Sequence, residues 1–166
     1  MARAYDMYSR MEVVRWFGFV PGWPLTAPEQ AVDMVRRWHA RTTPDGRYGI
    51  WAIELRGSGQ VAGTILLKRL PGRDEGVLTD DIEVGWHLHP DCWGNGYATE
   101  AARAMVDREF AAGTEQIYAV VDPGNEPSKA VARRLGMTYV GRRTDWYGGI
   151  ETDTFVLPAD KYPPRS

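Results

Sequence analysis

The stretch Trp93-Gly94-Asn95-Gly96-Tyr97-Ala98 is where residue types and spacing best match a chemical task. Two glycines one residue apart let the backbone curl, so that successive N–H groups point into one concavity. The run that follows predicts a helix, and its N-terminal end adds a positive field at the same place. Such a turn, running into a helix start, is a cradle suited to a pyrophosphate. A Gly-x-Gly turn also reads as a tight turn with no ligand. Two other phosphate loops are excluded: no Gly-Lys-Ser/Thr follows, and Thr99 stands where G-x-G-x-x-G needs its third glycine.

Other reactive types lie nearby. Cys92 precedes the turn, but an acyl-cysteine route needs an activating His or a depressed thiol pKa. His89 precedes Pro90 and reads as structural. Asp80-Asp81 reads as a loop rather than a metal site, and no metal-ligand spacing appears anywhere, so no metal is expected.

The elements that must position these residues follow from pattern. Met1–Phe17 reads as one short helix anchored by Val13, Val14 and Trp16, and the stretch Phe19–Leu25 as a loop. Thr26 and Glu29, with Pro28 in the first turn, predict a capping box and a helix to about Arg41. That helix turns Ala31, Val35 and Trp38 inward and leaves His39 at the surface or half-buried. Ile50–Leu55 and Val61–Arg69 flank Gly57-Ser58-Gly59 and predict a hairpin, with a second turn over Leu70–Gly76. Ile82–His89 predicts a strand with Ile82, Val84, Trp86 and Leu88 on one side and Glu83, Gly85, His87 and His89 on the other. Gly85 inside it suggests a bulge or a close backbone approach. Ala98–Ala112 predicts a helix with Ala98, Ala101, Ala102, Met105 and Phe110 inward, ended by Gly113. Gln116–Val121 predicts a strand, Pro127–Leu135 a helix, and Thr138–Gly141 and Thr154–Leu157 strands; 158–166 reads as a frayed tail. The order αα-βββ-α-β-α-ββ implies a mixed α/β sheet with helices on both faces.

Composition narrows the function classes. The 166 residues suit one domain, 1–166, and the 43% apolar and 25% charged shares are those of an ordinary globular chain. A net charge of -2 and the lack of a basic, aromatic-interleaved stretch disfavour nucleic acid. One cysteine makes no internal disulfide. No apolar run is long enough for a membrane span, and no signal-type segment opens the chain. A cytoplasmic protein without membrane partners is the expectation.

Three stretches, in order, resemble the GNAT superfamily of acyl-CoA-dependent N-acyltransferases, closest to its ribosomal-protein N-terminal acetyltransferase branch. They are AIELRGSGQVAGTILLKRL, IEVGWHLHPDCWGNGYATEAARAM and VVDPGNEPSKAVARRLGMTYVG, and the likeness covers most of 38–157. It implies a largely antiparallel central sheet with a V-shaped opening between two central parallel strands, Ile82–His89 and Gln116–Val121. It implies acetyl-CoA as co-substrate, with pantetheine pairing with the backbone of Trp86, His87 and Leu88. The pyrophosphate then falls to Trp93, Gly94, Asn95, Gly96, Tyr97, Ala98 and Thr99, and Asn125 and Ser128 match the polar residues near pantetheine and sulfur. The chain's two asparagines, Asn95 and Asn125, both fall in these motifs. Three departures stand out. Trp93 replaces the usual Gln or Arg, Ala132 stands where many relatives carry a tyrosine acid, and the sequence opens almost at the first helix, so that the family's opening strand is either absent or lies upstream of Met1. A sheet without that strand exposes an edge, so a homodimer is expected.

The chemistry then asks for a base, an oxyanion donor and a proton for the departing thiolate. An ammonium must lose its proton before it attacks. Glu83 is the first candidate base, with a solvated carboxylate or an ion pair as the plain reading; His87 is the second, with packing as its plain reading. The N–H near Leu88 suits the oxyanion. The Ser128 hydroxyl suits the thiolate, unless it caps its own helix. The acceptor is a small-molecule amine or a protein N-terminus, and Trp16, Trp23, Trp146 and Tyr147 can line its pocket or pack in the core. The rival reading is a GNAT-fold module that binds or senses acyl-CoA without turnover.

Overall fold

A computed structural model describes residues 1–17 and 22–163. Its strands are β1 (Gly49–Glu54), β2 (Val61–Pro71), β3 (Leu78–Leu88), β4 (Gln116–Val121), β5 (Thr138–Arg143) and β6 (Thr152–Pro158). They form one mixed, mostly antiparallel sheet in the order β1-β2-β3-β4-β6-β5, flanked by helices as expected. The helices are α1 (Ala2–Tyr8), α2 (Met11–Val14), α3 (Pro28–Ala40), α4 (Tyr97–Ala111) and α5 (Glu126–Arg134). β3 and β4 are parallel, in register at Ile82–Ile117 and Glu83–Tyr118; β6 pairs antiparallel with both β4 and β5. Length leads one to expect a single domain; the chain divides into two compact units, Met1–Leu66 with Trp86–Ala98, and Leu67–Gly85 with Thr99–Ser166.

The first unit is built on an aromatic nest. The single N-terminal helix expected from the sequence is two short ones, because Ser9 Oγ donates to Asp6 O and Arg10 turns extended before α2. Val13 and Val14 are buried as expected, whereas Trp16 is half-buried with Arg15 over its ring. Tyr8 is fully buried with its ring 5.2 Å from Trp23 and 5.3 Å from Trp38. Met7, Ala31 and Met34 complete this core, and Val35 and Trp38 pack on it. The start of α3 differs from the expected box. The residue before a proline is pushed to extended backbone, so Ala27 takes the cap position, and Gln30 rather than Glu29 closes the turn. Gln30 Oε1 accepts from Thr26 N–H at 2.7 Å and Ala27 N–H at 3.0 Å. The loop expected over Phe19–Leu25 lies partly outside the described residues. The hairpin forms as expected, closed by Leu55 N–H to Gln60 O. Close backbone approach falls at Gly63 in β2, where a Cβ would sit 2.1 Å from His87 O.

The second unit packs Leu70, Tyr118 and Trp146 together. β3 begins at Leu78, so Asp80 and Asp81 are strand residues and not a loop: Asp80 pairs with Arg69, and Asp81 accepts the Trp146 indole N–H at 3.0 Å. Along α4 the buried side chains are Ala98, Ala102, Val106 and Glu109, spaced four, four and three, while Met105 and Phe110 are half-buried. The Glu109 carboxylate receives the Thr114 hydroxyl at 2.6 Å. The segment expected to fray from residue 158 is held as far as Tyr162. Tyr162 donates to Asp107 at 2.5 Å and its ring lies 5.3 Å from Phe110; residues 164–166 lie outside the described residues.

Candidate functional site

In the first unit, β3 ends at Leu88, a short 3-10 turn follows at Pro90–Cys92, and the chain then passes through Trp93–Gly96 into α4. Gly94 and Gly96 both hold left-handed backbone, φ 78° and 81°. A Cβ at either would meet nothing within 4 Å, so it is the dihedral and not crowding that asks for glycine. Asn95 fixes the curl by donating from Nδ2 to Trp93 O at 2.9 Å and Cys92 O at 3.3 Å. The N–H groups of Gly94, Asn95 and Gly96 donate to no acceptor among the described residues, and all three residues are exposed. Together with the first turn of α4 (Tyr97, Ala98, Thr99), these are orphan donors of the kind that bind anions. The residues Trp93–Thr99 fit the pyrophosphate expected from the sequence.

The base of this loop is fixed by charge. His89 is buried with Nδ1 2.7 Å from Asp91 and Nε2 2.9 Å from Asp6. Arg3 reaches Asp91 at 2.5 Å, and this guanidinium contact, with the Cys92 thiol and His89, holds the Asp91 carboxyl well below the usual range. Burial pushes the Cys92 thiol up, and its hydrogen bond to Asp91 pushes the same way. That is the opposite of an activated nucleophile.

Trp86, His87 and Leu88 are the last three residues of β3. The Trp93 indole N–H donates to Leu88 O at 3.0 Å, joining strand to loop. The His87 side chain is engaged in the nest: Nδ1 is 3.0 Å from the Tyr8 hydroxyl, and the ring centroid is 4.2 Å from that of Phe17. Tyr8 Oη also lies 2.8 Å from Thr64 Oγ1, and burial pushes its phenol far up, so it stays protonated.

In the second unit, Glu83 is buried, 5% exposed. Its Oε2 accepts the Tyr147 hydroxyl in a very short hydrogen bond and lies 3.4 Å from Lys68 Nζ. Lys68 in turn donates to Tyr147 Oη at 2.7 Å. Burial first, and then the Glu83 charge, push the Tyr147 phenol well above its ordinary value. Sequence reasoning missed Lys68 and the role of Tyr147. The available signals were a lysine inside the apolar run Thr64–Leu70 and a tyrosine before Gly148-Gly149.

The start of α5 places Asn125 as the cap. Its Oδ1 accepts from Ser128 N–H at 3.2 Å, so the cap is the asparagine and not the serine hydroxyl. The Ser128 hydroxyl has no partner among the described residues. Lys129 holds the preceding turn through Pro123 O at 2.6 Å and reaches Asp153 at 2.5 Å. Ala132 is fully buried, so the position where relatives carry a tyrosine faces packed atoms in this chain. Among the described residues no group of three or more His, Cys, Asp or Glu side chains could hold a metal ion, and no helix is long and apolar enough to cross a membrane.

The sequence model described as an acetyltransferase (GNAT) domain matches residues 1–138. YoaA of Bacillus subtilis (strain 168), described as an uncharacterized N-acetyltransferase, is 30% identical over 155 residues, 92% of this chain and 82% of YoaA. The crystal structure of a GNAT-family acetyltransferase from Bacillus anthracis superposes with a TM-score of 0.74 at 20% identity, covering 96% of this chain and 89% of that one. Mycobacterium smegmatis RimJ, solved in complex with CoA-disulfide, superposes with a TM-score of 0.70 at 22% identity over 98% of this chain and 81% of its own. These two likenesses concern the fold.

Proposed function

The chain belongs to the GNAT acetyltransferase family, which draws its acetyl group from acetyl-CoA, and on that premise we propose that it transfers the acetyl group to a primary amine by direct attack. The observation that carries this reading is the exposed Trp93–Gly96 turn, with two left-handed glycines and free N–H groups at the start of α4. Each residue then has a task. Trp93 to Thr99 bind the pyrophosphate, and the backbone of Trp86, His87 and Leu88 pairs with the pantetheine amides. Asn125 shapes the start of α5 beside the sulfur. The Leu88 N–H stabilises the developing oxyanion. Glu83 takes a proton from the acceptor ammonium through water, and the Ser128 hydroxyl donates to the departing thiolate.

The acceptor we propose is a small-molecule amine or a protein N-terminus, as in the ribosomal-protein branch. β1 is an outer strand of the described sheet, and its free edge is the surface we propose for a homodimer. The test is an amine screen: L-amino acids, spermidine, kanamycin and a peptide with a free N-terminus, each with acetyl-CoA, read by thiol release and product mass. Release with one class and a mass gain of one acetyl group supports the reading. The buried Ala132 favours the second reading, an acyl-CoA-binding module without turnover; calorimetric binding with no thiol release across the panel would establish that one instead.

A further inference from the structure

We propose that Lys68 and Tyr147 are positioning residues that fix the Glu83 carboxylate through Oε2 and leave Oε1 as the oxygen that takes the proton. The proposal deepens the reading of Glu83 as base and rests on it. Its ground is geometry within one compact unit. Lys68 Nζ lies 2.7 Å from Tyr147 Oη and 3.4 Å from Glu83 Oε2, and Tyr147 Oη donates to the same Oε2. The ammonium also lies 4.7 Å from the centre of the Tyr147 ring. Glu83 Oε1 receives no hydrogen bond from the described residues. One carboxylate oxygen is thus doubly engaged and the other is not.

The backbone around Tyr147 is consistent with such a task. Tyr147 has φ 51°, a left-handed conformation rare for a non-glycine residue, followed by Gly148 at 72° and Gly149 at 84°. Strain of this kind persists where neighbours over-determine it, and it clusters at functional sites. Here the turn is tied by Gly148 N–H to Gly72 O at 3.2 Å and by Gly149 N–H to Trp146 O at 3.0 Å. The Tyr147 phenol stays protonated, because burial and the Glu83 charge both disfavour its anion. It therefore donates to Glu83 at any working pH.

The charged and titratable groups around Glu83 come from four elements. They are Lys68 on β2, Asp81 on β3 itself, Tyr118 opposite it on β4, and Tyr147 before β6. Arg143 and Asp145 act on Tyr118. Asp81 is occupied by the Trp146 indole, which leaves Lys68 as the cation at the Glu83 carboxylate among the described residues.

The experiment labels the full chain with side-chain carboxyl carbon-13 glutamate and follows the signal that Glu83→Gln removes. Lys68→Met is expected to move its titration midpoint to higher pH by about one unit, since an opposite charge at this range favours the ionised form. Tyr147→Phe is expected to move it the same way by less, and Lys68→Arg to restore the wild-type midpoint. A midpoint unmoved in both Lys68→Met and Tyr147→Phe overturns the proposal. Thiol release from acetyl-CoA with the amine panel tests the underlying reading separately. If Glu83→Gln keeps full release while the midpoint still moves, Glu83 is not the base, although Lys68 and Tyr147 hold its carboxylate as proposed.

Discussion

The Trp93–Gly96 loop and the Glu83 cluster solve opposite problems. The loop is exposed, presents backbone N–H groups, and is shaped by two glycines and an asparagine that are adjacent in sequence. The cluster is buried at Glu83 and half-buried at Lys68 and Tyr147, three side chains drawn from β2, β3 and the turn before β6, up to 79 residues apart. A backbone site needs particular dihedrals, and dihedrals leave a local mark because few residues adopt them. A side-chain site needs only that distant segments meet, and although each residue can stand out singly, as Lys68 does in its strand and Tyr147 before two glycines, their meeting leaves no local mark. The first can be broken at one glycine; the second has to be taken apart group by group.

Gly96→Val should give the largest effect. It puts a branched side chain at a left-handed position, which strains the turn that presents the N–H groups. Loss of one or two charge-assisted hydrogen bonds lowers affinity for acetyl-CoA roughly 100-fold. Isothermal calorimetry reads this, with the circular dichroism melt as control for folding. Unchanged affinity would mean that the turn is only a turn.

Ser128→Ala comes next. The hydroxyl has no partner among the described residues and the helix is capped by Asn125, so the substitution leaves the cap intact. The expected result is kcat lowered roughly 10–100-fold with acetyl-CoA affinity little changed, the signature of one interaction made in the transition state. A fall in melting temperature with kcat untouched would return Ser128 to a structural role.

How much could be read in advance follows the same division. The Trp93–Gly96 turn, the Asn125–Ser128 helix start and the β3 and β4 strands were legible because glycine, capping residues and alternation act locally. The α3 cap was misread by one position, because Pro28 fixes Ala27 as extended and so hands the task to Gln30. Glu83 was legible as a carboxylate on a central strand, but Lys68 and Tyr147 were not, since nothing near either residue announces the other. His87 looked like a base by its type; its packing against Tyr8 and Phe17 depends on α1 and the chain after α2.

A middle-sized effect is expected at Lys129 and Asp153, which support α5 from the side-chain end. Burial pushes Asp153 up, but hydrogen bonds from Lys129 and Tyr139 and the nearby charges outweigh it and hold the carboxyl below its ordinary value. A depressed carboxyl contributes stability above its unfolded pKa of about 3.9, and that contribution is lost as pH falls through the folded value. Lys129 is raised, first by its hydrogen bond to Asp153; its contribution is complete below about pH 10.4 and is lost only as pH rises through the folded value. The pair therefore stabilises across neutral pH. Lys129→Met should lower the melting temperature at pH 7 and narrow the difference between pH 7 and pH 3. An equal loss at both values would mean that packing, and not charge, is what Lys129 supplies.

The smallest effect tests the one place where the backbone site borrows a side chain. The Trp93 indole N–H donates to Leu88 O, linking the end of β3 to the loop, and the residue is about half exposed. Trp93→Phe keeps an aromatic ring and removes that donor. Leu88 O remains open to water, so no buried acceptor is orphaned and the cost is one ordinary hydrogen bond, about 1 kcal/mol. In binding terms this is roughly a 5-fold loss of acetyl-CoA affinity, read by the same calorimetry as Gly96→Val. A loss as large as that of Gly96→Val would show that the cradle depends on a side chain after all, and the contrast between the two regions would fail at this residue.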